Sequence, residues 1–283
     1  MKEEKSMLNA YSVFKDLDKK ACEILRNAGI QLELSNCEER PNKEELLKLL
    51  KDYDILIIGV REKMTKDMLY KIDKKKIIAT LSIGVDHIDK SFFESDLINI
   101  INCQTSNVIS VAEHIFALIL SLKKRVIEAN EIAMRGGTKK DLSARSNDIN
   151  NSSIGIIGAG KISREVIKIA KVFNMKIYCN TLNPEKHKDL LEQGVEFLSL
   201  DTLLSNSDII TVNIPLNEEN NNLISKDKIR LMKKSATFIN TSRAEILDMN
   251  ELMKYADENE TFNVGLDIDA ENYKEMLNVK RNI

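Results

Sequence analysis

No stretch of this chain holds the roughly 18 consecutive apolar residues that a membrane-spanning helix needs. Its first residues, Met1-Lys2-Glu3-Glu4-Lys5, are charged, and no apolar core of a secretory signal follows them. A surplus of one charge is also missing. The 42 Lys+Arg and 44 Asp+Glu leave a formal net charge of -2, which excludes long-range attraction to nucleic acid or to an anionic membrane. Cysteine is scarce and unpatterned. Cys22, Cys37, Cys103 and Cys179 stand apart without metal-ligand spacing, so they read as reduced thiols of a cytoplasmic protein, and no metal site is expected.

What is present is an α/β pattern. The 283 residues suffice for two domains of about 100–200 residues each, and 43% hydrophobic residues supply two cores. In the first hundred residues Leu8 to Ala28 reads as a helix closed by Gly29, and Ile30 to Leu34 as a short strand. Lys43 to Lys51 is helical. The apolar runs 54–59, 76–81 and 98–101 are of the kind buried in a parallel sheet. Ser110 and Glu113 have capping-box spacing, and Val111 to Leu122 is apolar on nearly every face, as in a helix buried between domains or subunits. Residues 131–152 read as a loop. Strands are then expected near 153–157, 175–179, 208–212, 236–240 and 261–266, with helices between them. The predicted fold is α/β, with two open parallel-sheet domains. Residues 1–101 form a flavodoxin-like domain, and 102–283 form a doubly wound Rossmann domain preceded by an interdomain helix in 107–130.

The apolar strand Ile154–Ile157 ends in Gly158-Ala159-Gly160, and a helix follows from Lys161 to about Phe173. In this context Gly158 permits a tight turn, and Gly160 lets the backbone approach a pyrophosphate at the helix N-terminus. Lys161 and Ile162 open that helix and complete the pyrophosphate candidates. Ser163 replaces the usual third glycine, with a hydroxyl able to bond back into the helix. The next strand ends at Asn180, where an NAD site usually presents an acid to the ribose hydroxyls. Asn180 keeps a hydrogen-bonding group without the charge, and Lys186 and Lys188 follow, so NAD and NADP both remain open.

Four further motifs lie in order around this fingerprint: Ile83-Gly84-Val85-Asp86-His87-Ile88-Asp89; Asn107-Val108-Ile109-Ser110-Val111-Ala112-Glu113-His114; Ser207 to Leu216; and Ile239-Asn240-Thr241-Ser242-Arg243 with Asp248. With them the chain, from about residue 50 to 270, resembles the D-isomer-specific 2-hydroxyacid dehydrogenases. The resemblance implies hydride transfer between NAD or NADP and a small 2-keto or D-2-hydroxy acid, of the glyoxylate, hydroxypyruvate or 3-phosphoglycerate type. It also implies a homodimer through the 107–130 region. By the same likeness Arg243 is the catalytic arginine, and Ile83 and Gly84 grip the substrate carboxylate while Arg61 faces it. Asn213, Pro215 and Thr241 line the cofactor, and Asp267 binds near its nicotinamide end. A guanidinium suits this task, because it offers a planar carboxylate two parallel charge-assisted hydrogen bonds.

The chain departs from the family pattern at several points. Asn272 stands at the expected glutamate position, with Glu271 beside it as a substitute acid. The histidines are His87, His114 and His187, none of them where the family places its acid/base, and the segment returning to the substrate domain is expected to be lacking. Ser82 and Ala244 replace common glycines and are expected to add bulk at the site. These departures keep open a second reading, a cofactor-binding homologue with impaired catalysis.

Overall fold

Two of the apolar runs become strands with no solvent-facing side, whereas 98–101 becomes an edge strand, Ile98–Asn102, in which only Ile98 is buried and Ile101 is 53% exposed. Ile55–Ile58 (β3) and Ile209–Val212 (β9) are buried at every residue, which a parallel sheet covered on both faces requires. The computed structural model describes residues 7–103 and 105–268. It divides into two units, Met1–Asn107 and Val108–Ile283.

In the first unit β1 (Leu8–Ser12), β2 (Ile30–Leu34), β3, β4 (Lys76–Thr80) and β5 (Ile98–Asn102) form one parallel sheet in the order β2-β1-β3-β4-β5. This is the 2-1-3-4-5 order of doubly wound sheets. The helix expected over Leu8 to Ala28 is instead β1 followed by a helix over Lys19–Asn27. Two polar contacts divide the segment. Asn9 and Asp54 exchange side-chain bonds with each other's backbone amides at 3.0 and 2.8 Å, which fixes β1 against the start of β3. Asp18 then accepts from the amides of Lys20 and Ala21 and starts the helix.

In the second unit β6 (Ser153–Ile157), β7 (Lys176–Asn180), β8 (Glu196–Phe197), β9, β10 (Thr237–Asn240) and β11 (Asn263–Leu266) run parallel in the order β11-β10-β9-β6-β7-β8. Read from β8, this is the 3-2-1-4-5-6 order of a dinucleotide-binding sheet. The two-residue β8 was not expected, being too short to show a pattern. Alternate residues feed two cores. Ile154, Ile156 and Ile239 pack with Val166, Ile167 and Ile115, while Ile210, Val212 and Phe238 pack with Leu203 and Leu252 on the other face. Each such fully buried side chain contributes roughly 1.5–3 kcal/mol over its exposed state.

At the N-terminal edge of this sheet, Asp208 accepts from the Ser153 amide and hydroxyl at 2.9 and 2.8 Å and from Lys233 Nζ at 2.8 Å. Burial alone would raise its pKa, but these bonds hold it below the usual carboxylate range.

The long helix runs over Val108–Lys123. Ser110 and Glu113 therefore lie inside its first turns, both exposed, and do not form the expected capping box at its start. Its buried residues, Val108, Ala112, Ile115, Phe116, Ile119 and Lys123, form one stripe at helical spacing, and Ile109 is 63% exposed. On a single chain the helix is thus covered on one face. A second helix, Val126–Met134, extends into the expected loop. No helix among the described residues is long and apolar enough to cross a membrane.

Candidate active site

The glycine turn after β6 is shaped by two different constraints. Gly158 has φ +103, and a Cβ there would lie 2.7 Å from both the Asn213 carbonyl oxygen and Ile214 Cγ2. Only glycine fits this close crossing of β6 and β9. Gly160 has an ordinary φ of -75, and an added Cβ there would meet nothing within 4 Å. Its freedom serves the space in front of it. The Lys161–Val172 helix begins there without a side-chain cap. Its first amides and the positive end of its dipole therefore face an open cradle, which fits a pyrophosphate.

Ser163 is fully buried, and its hydroxyl accepts from Asn213 Nδ2 at 3.4 Å rather than bonding back into the helix as expected. Asn213 Oδ1 in turn accepts from Thr211 Oγ1 at 3.1 Å, so the serine helps link the Lys161–Val172 helix to the end of β9. The Pro215 carbonyl accepts from Asn220 Nδ2 at 2.6 Å, closing the following loop. At the end of β7, Asn180 Nδ2 donates to the Leu198 carbonyl at 2.8 Å. Beside it the Cys179 thiol lies 3.5 Å from the Gly158 carbonyl oxygen, and burial pushes its pKa up to about 12.

Arg243 follows β10 in a turn stapled by the buried Asn240. Asn240 Nδ2 donates to the Arg243 carbonyl and its Oδ1 accepts from the Ser242 amide, both at 2.9 Å, while Ser242 Oγ donates to the Val212 carbonyl at 2.9 Å. These bonds fix the half-buried Thr241, Ser242 and Arg243 at the C-terminal edge of the sheet. Arg243 Nη1 donates to the Ser242 carbonyl at 3.0 Å. The positioning roles of Asn240 and Ser242 were missed from sequence. An asparagine ending the apolar run Thr237-Phe238-Ile239 was the available signal. Ala244 is 8% exposed and packs into the hydrophobic core, so its methyl group does not add the expected bulk to the site.

Asp267 follows β11 with its amide donating to the Asn240 carbonyl at 2.9 Å. Its exposed carboxylate lies 3.8 Å from His114 Nε2 on the Val108–Lys123 helix. Along one edge of the second sheet stand Asp267, then Arg243 and Thr241, Asn213, the Gly158–Ile162 turn, and Asn180, each just beyond or at the C-terminal end of its strand. Open α/β sheets bind ligands at this edge, where the strand order reverses, here between β9 and β6.

The candidates of the first unit also follow strand ends. Arg61, after β3, is exposed. Its neighbour Glu62 is 3% exposed; it accepts from the Gly59 amide at 2.7 Å and from Arg40 Nη1 at 3.5 Å, pinning the turn. After β4, the Ile83 carbonyl accepts from Asn102 Nδ2 at 2.8 Å and the Gly84 carbonyl from Ser82 Oγ at 2.6 Å. Ser82 thus braces the loop from within, bonded also to Thr80 Oγ1 at 2.7 Å, instead of crowding the site as expected. Both carbonyls are occupied, and among the described residues the amides of Ile83 and Gly84 have no acceptor. Glu271 lies outside the described residues. Among those described, no group of three or more His, Cys, Asp and Glu side chains is placed to hold a metal ion.

Residues 116–281 match the family described as "D-isomer specific 2-hydroxyacid dehydrogenase, NAD binding domain". The chain belongs to this family. It is therefore an oxidoreductase that moves a hydride between NAD or NADP and a small 2-keto or 2-hydroxy acid. A glyoxylate reductase of Thermococcus litoralis is 32% identical over 263 residues, which span 89% of this chain and 78% of that protein. A D-lactate dehydrogenase from Aquifex aeolicus, solved with NAD and lactic acid, is similar with a TM-score of 0.78 at 28% identity, covering 95% of this chain and 79% of that one. An acyclic imino acid reductase solved with NADPH and D-Arg gives a TM-score of 0.84 at 27% identity, with 95% and 85% covered. In a dehydrogenase the bound nicotinamide carries the hydride.

Proposed function

We propose that this dehydrogenase reduces small 2-keto acids of the glyoxylate and hydroxypyruvate type, with Arg243 holding the carboxylate and polarising the ketone. The observation that carries the reading is the Asn240 staple, which fixes the Arg243 turn on the same sheet edge as the Gly158–Gly160 cradle. A guanidinium held in place binds a planar carboxylate without first losing much conformational freedom. On the first unit the same reading assigns anion binding to the Ile83 and Gly84 amides and a substrate-facing role to Arg61. On the second it assigns the cofactor to Gly158, Gly160, Lys161, Ile162, Asn180, Asn213, Pro215, Thr241 and Asp267. Glu271 remains the proposed acid partner for proton transfer.

Absorbance at the reduced-nicotinamide band, followed with NADH and NADPH against glyoxylate, hydroxypyruvate and a phosphorylated 2-keto acid, tests the proposal. Ketone-dependent oxidation is expected. Cofactor binding by calorimetry with no turnover on any 2-keto acid would instead support a homologue with impaired catalysis.

The proposed assembly is a homodimer through the 107–130 region. Ile109, Val126 and Ile127 support it, since they leave 63, 52 and 60% of their surface exposed on one chain. Sedimentation velocity at micromolar concentration should give a two-chain species, and a monomer would reject this part. A cytoplasmic location suits four free cysteines and is checked by cell fractionation.

A further inference from the structure

We propose that Asn180 makes this protein select NAD over NADP, by presenting a neutral acceptor of fixed orientation to the adenosine ribose. The proposal rests on the reading of the second-sheet edge as a dinucleotide site. Asn180 ends β7, and its position after the glycine turn is the one from which an acidic side chain accepts the ribose hydroxyls in NAD sites.

The orientation of its amide follows from chemistry. Its neighbour at 2.8 Å is the Leu198 carbonyl, which can only accept, so the NH2 group must face it and Oδ1 must point away. The backbone is pinned as well. The Gly158 amide donates to the Asn180 carbonyl at 2.8 Å, and the Leu198 amide donates to the Cys179 carbonyl at 2.9 Å. Turning the amide over would set oxygen against oxygen at Leu198. Oδ1 therefore offers an acceptor, which satisfies a 2'-hydroxyl donor. A 2'-phosphate is mostly dianionic at neutral pH and brings acceptors in place of that donor.

The nearby cations do not offset this mismatch. Arg164 lies in the first turn of the Lys161–Val172 helix. Its guanidinium is held on two sides by Asp189, with Nη2 to Oδ1 at 3.2 Å, and Nη2 also donates to His187 Nδ1 at 3.3 Å. Lys186 and Lys188 are exposed, and each solvated ammonium would return less than about fivefold in affinity.

Titration calorimetry with ADP-ribose and 2'-phospho-ADP-ribose tests this without involving nicotinamide or turnover. ADP-ribose should bind at least about tenfold more tightly, the equivalent of one mismatched hydrogen bond. In Asn180→Ala the ADP-ribose affinity should fall about five- to tenfold, with the phosphorylated ligand little changed, so the preference collapses. In Asp189→Asn, an exposed change that releases Arg164, the phosphorylated ligand alone should gain several-fold. Equal or tighter binding of 2'-phospho-ADP-ribose to the unmodified protein overturns the selectivity proposal and leaves the dinucleotide site standing. An unchanged preference in a folded Asn180→Ala protein does the same. If neither ligand binds, the reading of the edge fails, and the proposal with it.

Discussion

Arg243→Ala should lower kcat/KM for a 2-keto acid by at least about 100-fold while leaving NADH affinity within about twofold. Two charge-assisted hydrogen bonds to a carboxylate are worth about 1.5–3 kcal/mol each. Their sum corresponds to roughly 10²–10⁴ in transition-state stabilisation. The loss should fall on kcat as well as KM, because polarisation of the ketone grows as negative charge develops on its oxygen. Arg243→Lys should recover only part of the activity, since an ammonium keeps the charge but not the planar pair of donors. The turn itself should survive, because Asn240 holds it through the Arg243 carbonyl and the Ser242 amide rather than through the guanidinium. Steady-state kinetics paired with fluorescence titration of NADH separates the two effects. A kcat/KM within about threefold of the unmodified protein would remove Arg243 from the chemistry.

Gly158→Ala and Gly160→Ala should behave as opposites, although the two glycines are separated by a single residue. At Gly158 the methyl group meets backbone and side-chain atoms at 2.7 Å and the φ of +103 strains any L-residue. Strain and overpacking of this kind cost about 1–3 kcal/mol each, so a loss of about 2–6 kcal/mol in unfolding free energy is expected, together with loss of dinucleotide binding. At Gly160 the methyl group meets nothing, and exchanging glycine for alanine at a helix N-cap costs no more than about 1 kcal/mol. The fold should stand, yet the methyl would occupy the space needed by a pyrophosphate. Forfeiting one charge-assisted bond there weakens binding by about tenfold or more. Urea denaturation and calorimetry on both variants check this. A Gly158→Ala protein of unchanged stability would show that the crossing with Asn213 can relax. Undiminished nucleotide binding by Gly160→Ala would show that the cradle is not used.

Strands were legible in this sequence wherever both faces are covered, because runs such as Ile55–Ile58 and Ile209–Val212 then carry no polar residue except Thr211. β1 was not legible, since Asn9 and Ser12 break its run and the partner that fixes Asn9, Asp54, lies 45 residues away. The start of the Val108–Lys123 helix was misread because Ser110 and Glu113 have the spacing of a cap without its geometry. The glycine turn could be read directly, because an apolar strand, two glycines and a helix leave few other backbone paths. What could not be read was how polar side chains are spent. Ser82 and Ser163 looked like intruders at glycine positions, yet each has a hydrogen-bond partner: the Gly84 carbonyl for one, and Asn213 for the other. Asn180 looked undecided until the Leu198 carbonyl showed which way its amide must point.

Cys179 and Cys37 differ sharply as chemical targets. Cys179 is fully buried beneath the Gly158 turn, and burial pushes its pKa up to about 12, so the thiol stays protonated at neutral pH. Alkylating reagents and peroxide attack the thiolate, so this sulfur is sheltered from both where a modification would wedge the turn apart. Cys37 is exposed on the other unit. A maleimide fluorophore can therefore be attached there, leaving the turn beneath Gly158 untouched and giving the chain an optical reporter that does not depend on its absorbance.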